Sequence, residues 1–310
     1  MTTAATERTP ARTARKEAKA GKQASLAAEV SGRKIFTAAN ADRHELYQLS
    51  VQNVEAEIDF VDEAFEELKG RKATKLREDF CGTGNTSCEW VRRRETNTAV
   101  GLDIDGPTLE WGQVHNVAPL TAEQQARVTL HNRDVMTPGD ATGADIVLAM
   151  NFSYWLFKQR ADLIAYFRAV HETLGDDGVF FLDHYGGSES MEETTDKRPI
   201  EGCEEHGPFT YIWDQHEFNP ITGEMECRIH FKFADKTRMK DAFVYHWRLW
   251  GLAEIQDCLT EAGFSKVTVF WEGDELDEDG DETGEGNGEF TATEEGTADP
   301  AFVCYIGAEK

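Results

Sequence analysis

Leu76-Arg77-Glu78-Asp79-Phe80-Cys81-Gly82-Thr83-Gly84-Asn85 is the stretch on which the fold turns. Lys75–Phe80 reads as a strand, Gly82 and Gly84 as a turn, and Ser87–Arg94 as the helix that follows. Glycine at such a turn lets the backbone approach a bound ligand where a Cβ would clash, and a helix N-terminus behind it favours anionic or polar groups. Outward from this turn the chain alternates. Ala99–Asp103, Val128–Asn132, Asp145–Met150 and Val179–Asp183 are short apolar runs, and Pro107–Val117 and Ala161–Thr173 are amphipathic segments between them. Strands and helices alternating at this spacing predict a parallel sheet with right-handed crossovers. Asp103 ends the second strand 19 residues after Gly84, where an acid is placed to accept hydrogen bonds from both hydroxyls of a ribose. Asp134 follows the third strand in Asn132-Arg133-Asp134-Val135.

This layout resembles the class I S-adenosylmethionine-dependent methyltransferases over roughly residues 70–185. The resemblance implies a Rossmann-like, seven-strand α/β sandwich and S-adenosylmethionine as cofactor. It assigns Glu78 to the acid facing the methionine amino group, and Gly82 and Gly84 to the second and third motif glycines. Asp103 takes the ribose acid, with Ile104 beside it, and Asp134 with Val135 take the adenine edge. Phe80 and Cys81 complete the turn, and Asn151 lies beside the methionine moiety and the reactive methyl. Phe80 stands where the family carries its first glycine, which narrows the loop. A nicotinamide-binding Rossmann enzyme is the main competitor, but it expects G-x-G-x-x-G, which this turn lacks.

Methyl transfer from a sulfonium needs alignment and exclusion of water more than a strong base. Candidates lie beyond the carboxyl ends of the fourth and fifth strands, where open α/β sheets bind ligands. These are Asn151-Phe152-Ser153-Tyr154 and Asp183-His184-Tyr185. His184 is a candidate base and equally reads as a hydrogen-bonded rim residue. Asp183 and His184 facing Asn151 suggest Mg²⁺, but the further carboxylate such a site needs is not evident, so no metal is expected. The first of the two runs lacks the prolines of the N-P-P-Y motif of nucleobase methyltransferases.

After Tyr185 the pattern changes. Thr210–Phe218, Met225–Phe233 and Ala242–Trp250 read as an antiparallel insert within 186–250. It resembles the lids of methyltransferases acting on small amines, and its aromatics attract cations. Trp213 and Tyr245 are its candidate acceptor contacts, alongside Tyr47 of a helical N-terminal lid over 29–70. Leu252–Ala262 reads as a helix ended by Gly263, and Lys266–Trp271 and Ala301–Gly307 as the last two strands of a domain spanning 71–310.

The remaining segments set limits. Residues 1–28 read as a disordered basic arm, and 274–298, with eleven acids and no Lys or Arg, as a disordered acidic hairpin loop. Asp277, Asp279, Gly280 and Asp281 resemble a calcium loop, but the twelfth position falls on Gly286 rather than a glutamate. A net charge of −26 argues against nucleic acid as partner. No apolar run is long enough to span a membrane, no signal peptide is visible, and six scattered cysteines read as reduced thiols. The expectation is a cytoplasmic enzyme that methylates nitrogen or oxygen of a small-molecule acceptor. A protein methyltransferase and a non-catalytic interaction module are the alternatives.

Overall fold

The structure, a computed structural model, describes residues 34–203, 206–276 and 282–310. The arm expected over 1–28 and the calcium-like acids at 277–281 lie outside the described residues. Eight strands form the main sheet: β1 (Lys75–Asp79), β2 (Thr98–Asp103), β3 (Val128–Asn132), β4 (Ala144–Ala149), β5 (Leu174–Gly186), β10 (Lys266–Leu276), β11 (Glu282–Thr293) and β12 (Phe302–Glu309). Their order is β11-β10-β12-β5-β4-β1-β2-β3. The half from β5 to β3 is parallel, while β12, β10 and β11 run antiparallel.

Residues 146–149 of β4 and 179–182 of β5 are continuous apolar runs because both faces of these strands are covered. Ile146, Leu148, Val179 and Phe181 pack against α2 (Val54–Lys69) and α3 (Asn85–Arg93). Their neighbours Val147, Ala149, Phe180 and Leu182 pack against α6 (Arg160–Thr173) and α7 (Leu252–Ala262). Each large side chain removed from water this way contributes about 1.5–3 kcal/mol. Gly263 ends α7 with φ of 117°, as its position predicts.

The second sheet is antiparallel, in the order β6 (Thr194–Ile200), β7 (Phe209–Phe218), β8 (Glu224–Phe233), β9 (Arg238–Arg248). The last three correspond to the expected insert. The first, Thr-Thr-Asp-Lys-Arg-Pro-Ile, was not expected: it is mostly exposed, carries no alternating apolar signal and tolerates Pro199 because it is an edge strand.

Three more expectations are corrected. The helical pattern of Asp42–Leu68 breaks into α1 (Arg43–Ser50) and α2, with Asp42 capping α1 through the N–H groups of His44 and Glu45, and Asn53 starting the next helix. The break turns α1 onto the second sheet, where Leu46 joins Phe209, Ile229 and Phe231. The acidic segment is not a disordered loop throughout. Glu282–Thr293 forms β11, paired with β10, and Phe290 packs 4.6 Å from Tyr305 and 5.8 Å from Phe60. Composition hid this strand because its ladder is made of backbone groups and one aromatic anchor. The main sheet therefore has eight strands where seven were expected.

Candidate functional site

A cavity of about 810 Å³ opens where the carboxyl ends of β1, β2, β3 and β4 meet α1 and β9. Its first wall is the glycine turn. Phe80 and Gly82 adopt φ of 57° and 53°, and Gly84 at 66° caps α3. The turn is held from several sides. Cys81 N–H donates to the Leu102 carbonyl at 3.0 Å, and Gly82 N–H to Asp103 Oδ2 at 2.8 Å. Thr83 accepts from Gln48 of α1 at Oγ1 (2.9 Å) and from Asn116 at its carbonyl (3.0 Å). Helix α4 (Gly106–Gly112) approaches so closely that a Cβ on Gly112 would stand 2.2 Å from the Thr83 carbonyl oxygen.

Asp103, Ile104, Asp134 and Val135, the cofactor candidates of the sequence, all line the cavity. The other Asp103 oxygen accepts from Asp105 N–H at 2.8 Å, and burial raises the acid above its ordinary range. Each carboxylate oxygen keeps further acceptor capacity for a ligand hydroxyl. Ile104 is 74% exposed, a large apolar side chain standing open on the cavity wall. Asp134 Oδ1 accepts from Met136 N–H at 2.8 Å.

Three predicted residues act from behind this wall. Glu78 is buried and turned toward α3, where Oε2 accepts from Ser87 N–H at 2.9 Å and Ser87 Oγ at 2.5 Å. Burial pushes it to about 7 against the pull of those bonds. Cys81 points into the core, where a Cβ on Gly101 would meet its Sγ at 2.7 Å. At Gly84 a Cβ would meet Leu130 at 2.6 Å. Cys81 and Gly84 shape the turn without lining the cavity.

The opposite wall is aromatic. Tyr47 of α1 and Phe243, Tyr245 and Trp247 of β9 line it, with Tyr47 and Phe243 rings 5.0 Å apart and Tyr245 and Trp247 stacked at 4.4 Å. Arg43, His44, Thr83, Asp105 and Phe243 also line the cavity and were not singled out in the sequence, whereas Trp247 is one of the aromatics of the expected insert. Strand alternation, with 243, 245 and 247 on one face, was the available signal. Trp213 stands behind this wall, 6.3 Å from both Tyr245 and Trp247.

Asn151 lies between the two walls. The proposed partners at β5 do not join it, which corrects the expectation of a base at this strand end. His184 is 1% exposed, its Nδ1 pairs with the Tyr154 hydroxyl at 3.1 Å, and burial lowers it to about 4. It points to the sheet face opposite Asp183, because successive strand residues alternate. Tyr185 is half-buried near Phe152 and outside the cavity lining. Both Asp183 oxygens accept backbone N–H groups, of Asn151 and Phe152. Asp183, His184 and Asn151 therefore do not converge on a metal, and no group of three potential ligands is present among the described residues.

No family model and no curated protein matches the chain. Solved structures do. An S-adenosylmethionine-dependent methyltransferase from Clostridium acetobutylicum is 14% identical with a TM-score of 0.61, the match covering 86% of this chain and 96% of that one. CalS10, an amino pentose methyltransferase from Micromonospora echinaspora solved with S-adenosylmethionine, is 15% identical with a TM-score of 0.59 over 86% and 96%. The sugar N-methyltransferase KedS8 from Streptoalloteichus is 16% identical with a TM-score of 0.56 over 86% and 92%. The chain has the fold of the S-adenosylmethionine-dependent methyltransferases.

Proposed function

We propose that this chain is an S-adenosylmethionine-dependent methyltransferase acting on a nitrogen or oxygen of a small molecule, with an amine favoured. One observation carries the reading: a single cavity joins a nucleoside-type wall of Asp103, Ile104, Asp134 and Val135 to an aromatic wall of Tyr47, Phe243, Tyr245 and Trp247, with Asn151 between them. The residues fit the cofactor. Asp103 would take the ribose hydroxyls, Ile104 and Val135 the faces of the adenine, and Asp134 its amino edge. The bound cofactor supplies an activated methyl group.

The protein's share is alignment and exclusion of water. Helix α1 and strand β9 line one side of the site, and Tyr47, Tyr245 and Trp247 would hold the acceptor against the methyl. An aromatic wall draws cationic or partly cationic groups. With His184 turned into the core, no base from β5 serves the acceptor. An amine that arrives neutral brings its own lone pair and needs none, and its surplus proton leaves after transfer. That two proteins of this fold are an amino pentose methyltransferase and a sugar N-methyltransferase supports the amine reading.

The test is a screen of amines, carboxylic acids and phenols for release of S-adenosylhomocysteine. The reading expects turnover with amines first. Turnover confined to peptide substrates would overturn it.

A further inference from the structure

We propose that Asp183 is a positioning residue whose carboxylate locks the turn after β4 in a doubly left-handed conformation, and so fixes Asn151 between the cofactor and acceptor walls. The consequence for catalysis rests on the methyl-transfer reading. The geometry of the lock does not.

Asn151 and Phe152 have φ of 57° and 54° in succession. Asparagine tolerates this region, but a bulky phenylalanine rarely enters it, and two such residues together persist only where surroundings over-determine them. Asp183 is the group that does so. Its Oδ2 accepts from Asn151 N–H at 2.7 Å and its Oδ1 from Phe152 N–H at 2.9 Å. Both are charge-assisted bonds, shorter and stronger than neutral ones. The far side of the turn is tied to the same strand, where Tyr154 O–H donates to the Asp183 carbonyl at 3.1 Å. Ser153 Oγ donates to the Met150 carbonyl at 2.8 Å and closes the loop. Phe152 stacks on Trp155 at 5.2 Å and anchors the turn, leaving its neighbour Asn151 on the cavity wall.

The lock depends on ionised Asp183, since a protonated carboxyl gives up acceptor capacity at one oxygen. Burial pushes Asp183 to about 7, against the backbone bonds that favour its charge. The titratable groups near it are Glu57 of α2, which raises it further, Tyr154 of the turn, and Tyr305 of β12 on its own face, with Cys304 on the opposite face. His184 faces the other side of β5. No cation among these offsets the carboxylate, so the two N–H groups carry the stabilisation of its charge.

The experiment follows backbone amide protection by nuclear magnetic resonance in the full chain, with S-adenosylmethionine affinity measured in parallel. In Asp183→Asn one acceptor oxygen becomes an NH₂ group. Protection at Asn151 and Phe152 should fall at least tenfold, while Phe180–Leu182 in β5 keep theirs. Cofactor affinity should weaken about tenfold, or about 1.4 kcal/mol. In the wild type, protection factors at the same two amides should decrease as pH falls through about 7. Wild-type protection in Asp183→Asn, or equal loss throughout β5, would overturn the lock. If Asp183→Asn does not fold, the wild-type titration decides, and constant protection factors across pH 7 would overturn it. A wild type that binds no S-adenosylmethionine would defeat the functional reading and leave the amide result to judge Asp183 by itself.

Discussion

Phe80 offers a sharp test of the glycine turn, because two substitutions there remove the same ring and differ in one respect. The side chain packs 5.5 Å from Tyr166 and 6.3 Å from Phe157, and both Phe80→Ala and Phe80→Gly lose that contact. Removing a fully buried phenylalanine costs about 3–5 kcal/mol, and Phe80 is only half-buried, so about 2 kcal/mol is the appropriate scale for both. The backbone separates them. At φ of 57° an alanine keeps the left-handed penalty of about 1–2 kcal/mol, which a glycine does not have. Glycine's greater freedom in the unfolded chain opposes this by about 0.5–1 kcal/mol. The steric term is the larger, so Phe80→Gly should be more stable than Phe80→Ala by roughly 0.5–1 kcal/mol. The order is the reverse of that in an ordinary strand or helix. Paired urea denaturation curves with equal slopes give the difference directly. An alanine variant as stable as the glycine variant, or more so, would show that Phe80 does not hold the left-handed conformation.

His184 should make itself felt in acid. Its folded value is depressed from 6.5 to about 4, so the unfolded chain takes up the proton first and stability is lost as pH falls from about 6.5 to about 4. Relative to His184→Phe, the wild type should lose on the order of 3 kcal/mol across that window at 1.36 kcal/mol per unit; parallel pH dependences would place His184 in solvent. For β11, Phe290→Ala should lower stability by about 1–3 kcal/mol, visible as a drop of several degrees in Tm, because the ring packs on Tyr305 and Phe60; an unchanged Tm would restore the solvated loop. Once an acceptor is found, Tyr245→Ala should mainly raise its KM, and Trp213→Ala should do so less, since Trp213 stands behind the wall; a Tyr245→Ala variant with wild-type KM would move the acceptor elsewhere.

Much of the parallel half of the fold was legible because doubly buried strands and amphipathic helices leave strong periodic signals. Val128–Asn132 was placed to the residue, and Asp103, Ile104, Asp134, Val135 and Asn151 reached the cavity because strand ends in this topology converge. What failed was side-chain direction and non-local packing. His184 follows a strand end in sequence, yet β5 continues through Gly186, and its alternation turns the imidazole into the core. Glu78 matches the acid of the motif, but Ser87 nine residues later draws it toward α3. Strands β6 and β11 are polar and are recognisable only from the partners that complete their ladders. Phe243 entered the site through the face it shares with Tyr245 and Trp247, which an apolar run alone does not orient.

The central claim is that this cavity takes S-adenosylmethionine through Asp103. Titration calorimetry of the wild type and of Asp103→Ala with S-adenosylmethionine, and of the wild type with NAD, addresses it most directly. Each lost charge-assisted bond to a ribose hydroxyl is worth about 1.5–3 kcal/mol, so Asp103→Ala should bind at least tenfold more weakly, and NAD should give no heat of binding. Equal affinity in the two proteins, saturable binding of NAD, or no binding of S-adenosylmethionine by the wild type would contradict the account.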